Sequence, residues 1–248
     1  MRMRGDSVAG VFYGMGVGTG DPELLTVKAQ RVLAGLDVLL APVSREGRDS
    51  LALKTVREYV PQTTELMLRR FPMVRDQSEL DAAFDSIAGE VEALVRQGRS
   101  VGFVTLGDPM LYSTYVYLLK NLKSRGVETQ TIPGITSYSA VSSRLGIPLA
   151  EKDEKVAIVP TVYQDRDLPG ILERFDTVVL LKASGDCGPV IDQLQAAGLK
   201  DSAVFVSRLG LDREIIVHDL DLVRGLDADY LSMIIVRKPK EKQQGVKR

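Results

Sequence analysis

The sequence has no tryptophan, one cysteine and one histidine. It is therefore poor in the cysteine and histidine residues that build metal sites and covalent cross-links. The single cysteine, Cys187, forms neither an internal disulfide nor a thiolate metal site, so we expect a cytoplasmic protein without structural zinc. The single histidine, His218, excludes a site that needs several imidazoles. It lies far in sequence from every motif described below, and we expect it to be structural or exposed.

An excess of charge of either sign is also missing, since 32 basic and 33 acidic side chains leave a net charge of −1. An anionic partner must therefore be held by a local cluster of cations, and we expect no nucleic-acid partner.

Long apolar runs are absent near the start, where Gly10, Gly14 and Gly16 interrupt the hydrophobic stretch. We therefore expect neither an export signal nor a membrane segment.

The 248 residues, 44% of them hydrophobic, have room for one large domain or two small ones. Apolar runs of strand length alternate with segments of helical period, which indicates an α/β protein with mostly parallel pairing in its first half. The clearest helix is predicted over 78–97. Strands are predicted at 10–15, 37–41, 65–68, 100–106 and 127–132.

The pattern is interrupted around Ile147–Pro148 and the charged stretch that follows, and then restarts. The later strands are short and closely spaced, which favours a mixed sheet in the second half. The polar, basic tail 238–248 has no period and is predicted to be disordered. Strands are predicted at 155–160, 177–181, 203–207, 214–217 and 231–236, and helices at 168–175 and 189–197.

A first chemistry-bearing stretch, Gly14 to Thr26, follows the first predicted strand. Its alternating glycines let the backbone come close to a ligand or to another loop. Asp21 and Pro22 supply an N-cap and a first-turn proline for the next helix. The stretch is therefore predicted to be a strand, a glycine loop and a helix start, and a tight turn without any ligand is the alternative.

The glycine loop does not match the dinucleotide fingerprint G-x-G-x-x-G. Counting from Gly16, the last glycine position holds Asp21, and counting from Gly14 it holds Thr19. The acidic residue at a suitable distance, Asp37, begins the second strand, whereas a ribose ligand should lie at the end of that strand. NAD binding is therefore disfavoured.

A second stretch, Thr105 to Tyr115, lies at the carboxyl end of another apolar strand. Ligands of open parallel sheets bind at that edge, where Gly107 and Asp108 would offer backbone groups and a carboxylate. A carboxylate there suits a ribose or a cation. The alternative is that Asp108 and Pro109 cap a helix beginning near Met110.

A third stretch, Glu128 to Ala140, is an extended run that ends in Pro133–Gly134, after which small hydroxyl residues start a helix. Thr136 and Ser137 can offer side-chain oxygens and first-turn N–H groups to a polar ligand. Helix capping explains either hydroxyl equally well.

Taken together, the three stretches resemble the tetrapyrrole (corrin and porphyrin) methyltransferase family over most of the chain, from Gly10 to about Arg237. Family members carry Gly-x-Gly-Pro-Gly-Asp, Gly-Asp-Pro and Pro-Gly-Ile/Val-Thr/Ser segments. The corresponding residues are Gly16–Asp21, Gly107–Pro109 and Pro133–Thr136. One departure is Thr19, which stands where the family has proline.

Within the family, the second and third stretches and Val179 to Lys182 look most like the branch that methylates C20 of precorrin-2 or cobalt-factor II. The resemblance implies a methyltransferase of cobalamin biosynthesis that uses S-adenosylmethionine and releases S-adenosylhomocysteine. The alternatives are methylation at another corrin position such as C11 or C17, a relative acting on RNA or on a modified protein histidine, and a non-catalytic protein that binds a nucleotide or a tetrapyrrole. The net charge argues against RNA.

The resemblance also implies an architecture of two α/β domains, 1–135 and 136–237, with the cofactor in the cleft between them, and a homodimer. Many of the implied cofactor contacts are made by backbone groups. By resemblance, S-adenosylmethionine is held by Leu106, Gly107, Asp108, Leu111, Thr136, Ser137, Leu181, Lys182 and Leu209.

The implied substrate is a macrocycle fringed with carboxylates, which arginine forks are suited to bind. Five arginines follow strands predicted to point towards the cleft, although solvated loop arginines are the alternative. A base for the C20 proton could be Asp21, Tyr112 or Tyr138, which stand in the motif loops, and no nucleophilic triad is expected. The candidate substrate-binding residues are Arg45, Arg48, Arg69, Arg70 and Arg75.

Overall fold

A computed structural model describes residues 10–43, 50–71, 77–160 and 167–239 of the chain. The chain divides into two compact units between Ser137 and Tyr138. Each unit is built on one five-stranded sheet with helices packed against it, which confirms the predicted α/β class. Within the described ranges, no helix is long and apolar enough to span a membrane.

The first sheet has five strands in the order β3-β2-β4-β1-β5. Every pair of neighbouring strands in it is parallel. All five carboxyl ends therefore lie at the same edge of the sheet, as the sequence predicted for the first half. The strands are β1 (Phe12–Gly16), β2 (Val38–Val43), β3 (Glu65–Arg70), β4 (Val101–Thr105) and β5 (Thr129–Ile132).

Helices cover both faces of the first sheet. On β2, Val38 and Leu40 pack in one apolar cluster with α3 and α4, and the alternating Leu39 and Ala41 pack in another with α1 and α2. The predicted long helix 78–97 is α3. The helices are α1 (Val27–Leu33), α2 (Leu51–Val56), α3 (Gln77–Arg96) and α4 (Tyr115–Ser124).

The order of these elements creates a topological switch point between β1 and β4. β1 leads into α1 on one face of the sheet, and its neighbour β4 leads into α4 on the other face. The outgoing loops of adjacent strands therefore part in opposite directions. In open parallel sheets, ligands bind outside the carboxyl ends at such a point.

The second sheet is mixed, as predicted. Its order is β6-β7-β10-β8-β9, with β6 and β7 parallel and the other neighbours antiparallel. α6 and α7 pack on one face and α5 on the other. The elements are α5 (Ser137–Leu145), β6 (Val156–Pro160), α6 (Leu168–Arg174), β7 (Thr177–Leu181), α7 (Gly188–Ala196), β8 (Ala203–Ser207), β9 (Ile215–Val217) and β10 (Ser232–Arg237).

The basic tail was predicted to be disordered from Lys238 onwards, but Lys238 is held by the second unit. Its backbone N–H donates to the carbonyl of Asp176 at 2.9 Å, and its Nζ donates to the carbonyl of Glu173 at 2.7 Å. These bonds join the end of β10 to the segment between α6 and β7. Residues 240–248 of the predicted tail lie outside the described residues.

Candidate active site

The three motif stretches meet at the switch point, because β4, β1 and β5 are neighbours in the sheet. The carbonyl of Gly18 accepts a hydrogen bond from the backbone N–H of Gly107 at 2.7 Å. The carboxylate of Asp108 accepts one from the backbone N–H of Gly134 at 3.1 Å. The loops that follow three different strands are thereby joined into one assembly within the first unit.

Glycines make this junction possible. A Cβ on Gly16 would lie 2.5 Å from the carbonyl oxygen of Gly107 and 2.6 Å from the nitrogen of Gly134. A Cβ on Gly134 would lie 2.7 Å from the Cα of Gly16 and closer still to the carbonyl oxygen of Gly107. The alternating glycines were predicted to let the backbone approach either a ligand or another loop. Gly16 allows the approach of other loops.

Gly14 has a different reason to lack a side chain. Its Cβ would lie 2.5 Å from the hydroxyl oxygen of Tyr115 and closer still to the ring. Tyr115 is fully buried, and its hydroxyl lies 2.6 Å from the hydroxyl of Thr131. Burial raises the pKa of Tyr115 despite this hydrogen bond, so the phenol stays protonated at neutral pH.

Gly107 differs from the other junction glycines because nothing lies where its side chain would be. Its φ is +69°, a conformation that favours glycine, and a Cβ built there would have no neighbour within 4 Å among the described residues. Backbone is thus open on one side at the carboxyl end of β4. A ligand that lies against main-chain groups fits this place, as the resemblance implies for the cofactor.

The N-cap and first-turn proline predicted at Asp21 and Pro22 are confirmed, but they do not start an α-helix. Asp21 accepts a hydrogen bond from the N–H of Glu23 at 2.9 Å and caps only a short 3-10 helix, Pro22–Leu24. The α-helix begins at Val27, where the hydroxyl of Thr26 caps it by accepting from the N–H of Ala29 at 3.1 Å. Asp21 therefore belongs to the glycine loop and not to α1.

The alternative reading of the second stretch, a helix capped by Asp108 near Met110, is wrong. α4 begins at Tyr115, and the intervening Tyr112 has a φ of +47°. The carboxylate of Asp108 instead fastens the loop, because it accepts from the N–H of Met110 at 2.8 Å as well as from Gly134. A carboxylate has further lone pairs, so these bonds leave room for a ligand contact.

The loop after β4 presents large side chains to solvent. Met110 is 55% exposed and Tyr112 is 47% exposed, whereas Leu106 and Leu111 are partly buried. A tyrosine held at positive φ is strained, and such strain is concentrated at functional sites. The loop is therefore a candidate binding segment.

The predicted site residues of the third stretch stand at the start of α5. Ser137 is its first residue, Thr136 directly precedes it, and both are partly buried. The next residue, Tyr138, packs against an apolar cluster of the second unit that contains Leu181, and Leu209 packs against the same cluster. The predicted residues thus fall into two groups, one at the switch point and one in this cluster.

In the second unit, two non-glycine residues have positive φ directly after the strands that flank β10. Lys182 follows β7 with a φ of +57°, and Arg208 follows β8 with a φ of +58°. The ammonium of Lys182 lies 5.0 Å from the centroid of the Tyr230 ring, and Arg208 pairs with Asp229 at 2.9 Å. Both cations thus hold the segment that leads into β10.

Arg208 was not among the predicted site residues, although its neighbour Leu209 was. Positive φ in a residue other than glycine leaves no signature in composition or periodicity. The ion pair with Asp229 joins positions 21 residues apart, which spacing alone does not predict.

The structure separates the candidate substrate-binding arginines. The guanidinium of Arg69 donates to the carboxylate of Glu90, with Nε at 3.0 Å, and this hydrogen bonding raises the pKa of Arg69. Arg69 is therefore already paired within the protein. Arg70 is exposed and has no carboxylate partner in the described part of the chain. Arg45, Arg48 and Arg75 lie outside the described residues.

The remaining sequence landmarks lie apart from the motifs. Asp37 is at the amino end of β2, where its carboxylate accepts from the N–H and the hydroxyl of Ser100, each at 2.7 Å. His218 is exposed just after β9, and Cys187 is buried. In the described ranges, no three His, Cys, Asp or Glu side chains are grouped so that they could hold a metal ion.

Comparison with known proteins identifies the family of the chain. Residues 11–221 match the Tetrapyrrole (Corrin/Porphyrin) Methylases. The chain therefore belongs to this family of methyltransferases.

Two relatives and one solved structure are informative. The chain is 36% identical to the cobalt-precorrin-2 C(20)-methyltransferase of Salmonella typhimurium, over 92% of this chain and 97% of that protein. It is 35% identical to the probable cobalt-precorrin-2 C(20)-methyltransferase of Methanocaldococcus jannaschii, over 91% and 95%. The structure of uroporphyrin-III C-methyl transferase from Thermus thermophilus complexed with S-adenyl homocysteine is 25% identical, with a TM-score of 0.67 and 92% of each chain covered.

Proposed function

We propose that the protein transfers the methyl group of S-adenosylmethionine to C20 of precorrin-2 or cobalt-factor II, as a step of cobalamin biosynthesis. The observation that carries the proposal is the junction of three motif loops at the switch point, with the backbone of Gly107 open beside it. The names of the relatives at 36% and 35% identity support this reaction. Both names specify a cobalt-containing substrate, so we expect that form to be preferred.

The cofactor would be held largely by main-chain groups. Gly107 offers open backbone, Asp108 retains free lone pairs, and Leu106 and Leu111 supply partly buried apolar surface. The first turn of α5 adds Thr136 and Ser137, whose hydroxyl and N–H groups suit a polar ligand. Residues of the second unit that we assign to the same cofactor are Leu181, Lys182 and Leu209. S-adenosylhomocysteine bound to the Thermus relative supports this choice of methyl donor.

Little chemistry is required of the protein itself. The bound cofactor supplies a methyl group that is activated by the positive charge of its sulfonium. The residues of the chain need to hold both reactants in line, and such positioning can lower a barrier by about 7–11 kcal/mol. A base for the proton released from C20 would then be Asp21, Tyr112 or Tyr138. The exposed and strained Tyr112 is the one whose placement most favours contact with a ligand.

The carboxylates of the macrocycle need cationic partners. Among the described candidates, Arg70 is exposed without a carboxylate partner, whereas Arg69 is bound to Glu90. We therefore assign Arg70 to the substrate and keep Arg45, Arg48 and Arg75 as candidates.

We also propose a homodimer in the cytoplasm whose subunits contain domains at 1–135 and 136–237, as the family resemblance implies. A buried single cysteine suits a reducing compartment. Sedimentation velocity would give twice the chain mass for a dimer. A cleavage map from limited proteolysis would place the domain boundary.

The proposed reaction is tested by incubating the protein with methyl-labelled S-adenosylmethionine and either metal-free precorrin-2 or cobalt-factor II. Mass spectrometry should find one added methyl group, and NMR should locate it at C20. If neither substrate is methylated but a later corrin intermediate supplied in parallel gains a methyl group at C11 or C17, the protein is a methyltransferase of another position. Retained S-adenosylhomocysteine without any transfer of label would favour the non-catalytic binding protein.

A further inference from the structure

The hydroxyl of Thr19 is buried without a hydrogen-bond partner. Thr19 is 8% exposed, and its Oγ1 has no partner among the described residues. One other buried side-chain oxygen in the described ranges shares this condition, the Oγ1 of Thr177. An unpaired buried hydroxyl destabilises the fold, because it gives up its hydrogen bonds to water without replacement. Each such group therefore needs an explanation.

The position of Thr19 points to the site. It follows Gly18, whose carbonyl accepts from the N–H of Gly107 at 2.7 Å, so it is one residue away from the bond that joins the first and second motif loops. Thr177 is instead the first residue of β7 in the second unit and belongs to no motif. The two threonines are thus equally unpaired but differently placed.

Thr19 can reorient with little disturbance. A rotation of about 120° about χ1 moves the hydroxyl from one staggered position to another while the side chain keeps its volume. The residues on either side are Gly18, with φ of +70°, and Gly20, with φ of +125°, so the backbone of the loop is built from conformations that glycine adopts freely. A hydroxyl that is enclosed in the free protein can therefore turn to a ligand atom at the loop.

We propose that the Thr19 hydroxyl is a ligand-recruited donor, which gains its hydrogen bond when a carboxylate oxygen of the bound ligand reaches the glycine loop. The inference rests on the proposed function, because both the methionine part of S-adenosylmethionine and the rim of the macrocycle carry carboxylates. A donor of this kind adds to binding without stabilising the free protein. It also gives a role to the threonine that stands where the family has proline.

The test compares Thr19→Val, which keeps the branched shape and removes the hydroxyl, with Thr19→Ser, which keeps the hydroxyl. Thr177→Val is the matched control. S-adenosylhomocysteine affinity is measured by calorimetry, the KM of the tetrapyrrole by methyl transfer, and the Tm of each full-length variant by thermal unfolding. Thr19→Val should weaken one of the two ligands roughly tenfold, as expected for loss of a hydrogen bond to a charged group. Its Tm should equal or exceed that of the parent, because an unsatisfied group is removed.

The affinity for S-adenosylhomocysteine and the KM of the tetrapyrrole show which of the two ligands carries the carboxylate that Thr19 binds. A rise in the dissociation constant of S-adenosylhomocysteine assigns the acceptor to the methyl donor, and a rise in the KM of the tetrapyrrole alone assigns it to the macrocycle. Thr19→Ser should stay within about twofold of the parent, and Thr177→Val should change neither value.

Parent-like values for both ligands in Thr19→Val would overturn the inference and leave the proposed function intact. A fall in Tm of that variant would also overturn it, because the hydroxyl would then have a partner in the free protein. Failure of the parent itself to bind either ligand would overturn the proposed function together with this inference.

Discussion

The carboxylate of Asp108 and the backbone N–H of Gly134 are hydrogen-bonded at 3.1 Å, across 26 residues of sequence. This bond ties the loop after β4 to the loop after β5, and the other carboxylate oxygen holds the N–H of Met110. Asp108 therefore positions the loops of the proposed site whether or not it also touches the cofactor.

Replacing Asp108 with alanine should lower both stability and cofactor affinity. The change leaves the N–H groups of Gly134 and Met110 without their acceptor, which corresponds to about 1–2 kcal/mol of unfolding free energy. Urea unfolding and calorimetry with S-adenosylhomocysteine measure the two effects. Asp219→Ala is the control, because Asp219 likewise accepts a backbone N–H, from Asp221 at 3.1 Å, outside the motifs. An Asp108→Ala protein with parent-like affinity would remove Asp108 from the site.

The junction glycines should respond to alanine in two different ways. Gly134→Ala places a Cβ inside contact distance of Gly107 and Gly16, so we expect a loss of more than about 2 kcal/mol in unfolding free energy. Gly107→Ala meets open space and should lose only about 1–2 kcal/mol from its positive φ. Its added methyl group should nonetheless weaken S-adenosylhomocysteine binding.

Gly146→Ala is the matched control for Gly107→Ala. Its φ is +66° and its Cβ also meets nothing within 4 Å, but it lies outside the motif loops. The two variants should therefore unfold alike in urea while only Gly107→Ala binds the ligand poorly. Equal binding in both would show that the open face of Gly107 holds no cofactor.

Lys182→Gly should weaken cofactor binding with little change in stability. Glycine relieves the left-handed conformation, but its larger unfolded-state entropy and the loss of the contact with the Tyr230 ring offset this gain. Lys152→Gly provides the control, since Lys152 has a φ of +53° and no role in the proposed site. Lys152→Gly should unfold at higher urea, and only Lys182→Gly should bind S-adenosylhomocysteine less tightly. A Lys182→Gly variant that binds as the parent does would mean that the strain serves the fold alone.

Substitutions of the adjacent residues Arg69 and Arg70 should have different effects, the first on stability and the second on substrate binding. Arg69→Met breaks the pair with Glu90, so the Tm should fall while the KM of the tetrapyrrole stays unchanged. Arg70→Met should leave the Tm unchanged and raise that KM about threefold, as expected for one exposed charge contact. The reverse pattern would assign the substrate contact to Arg69.

Acid stability should depend on Asp37. Hydrogen bonds from the N–H and then from the hydroxyl of Ser100 hold the pKa of Asp37 below its usual value. The stabilisation is therefore complete above the unfolded pKa of about 3.9 and is lost as the pH falls through the lower folded pKa. Asp37→Asn should unfold at lower urea at pH 7 and lose less stability than the parent on acidification, and Ser100→Ala should show a smaller effect of the same sign. Parallel acid curves for parent and Asp37→Asn would contradict this assignment.

Much of the local structure was predictable because it depends on short-range periodicity. The strands 177–181 and 203–207 have their predicted ends, and the helix predicted over 78–97 is shifted by one residue. The cap predicted at Asp21 starts a 3-10 helix before α1, and the alternative of a helix capped by Asp108 is not found, because an Asp-Pro pair caps a short turn or fastens a loop as readily as it starts an α-helix. A local motif does not tell these uses apart.

The sequence by itself determined the α/β class, the parallel first sheet, the mixed second sheet and the position of three loops at strand ends. These features depend on the alternation of apolar runs with helical segments and on glycines in the loops, which are local properties of the chain. Only the tertiary structure decided that Gly16, Gly107 and Gly134 pack on one another, that Asp108 reaches Gly134, and that Arg69 is bound to Glu90. These contacts join distant segments, and their partners follow from the order of the strands in the sheet and from the helices that pack on it. The unpaired hydroxyl of Thr19 belongs to the same class, because whether a buried group finds a partner depends on everything that packs around it.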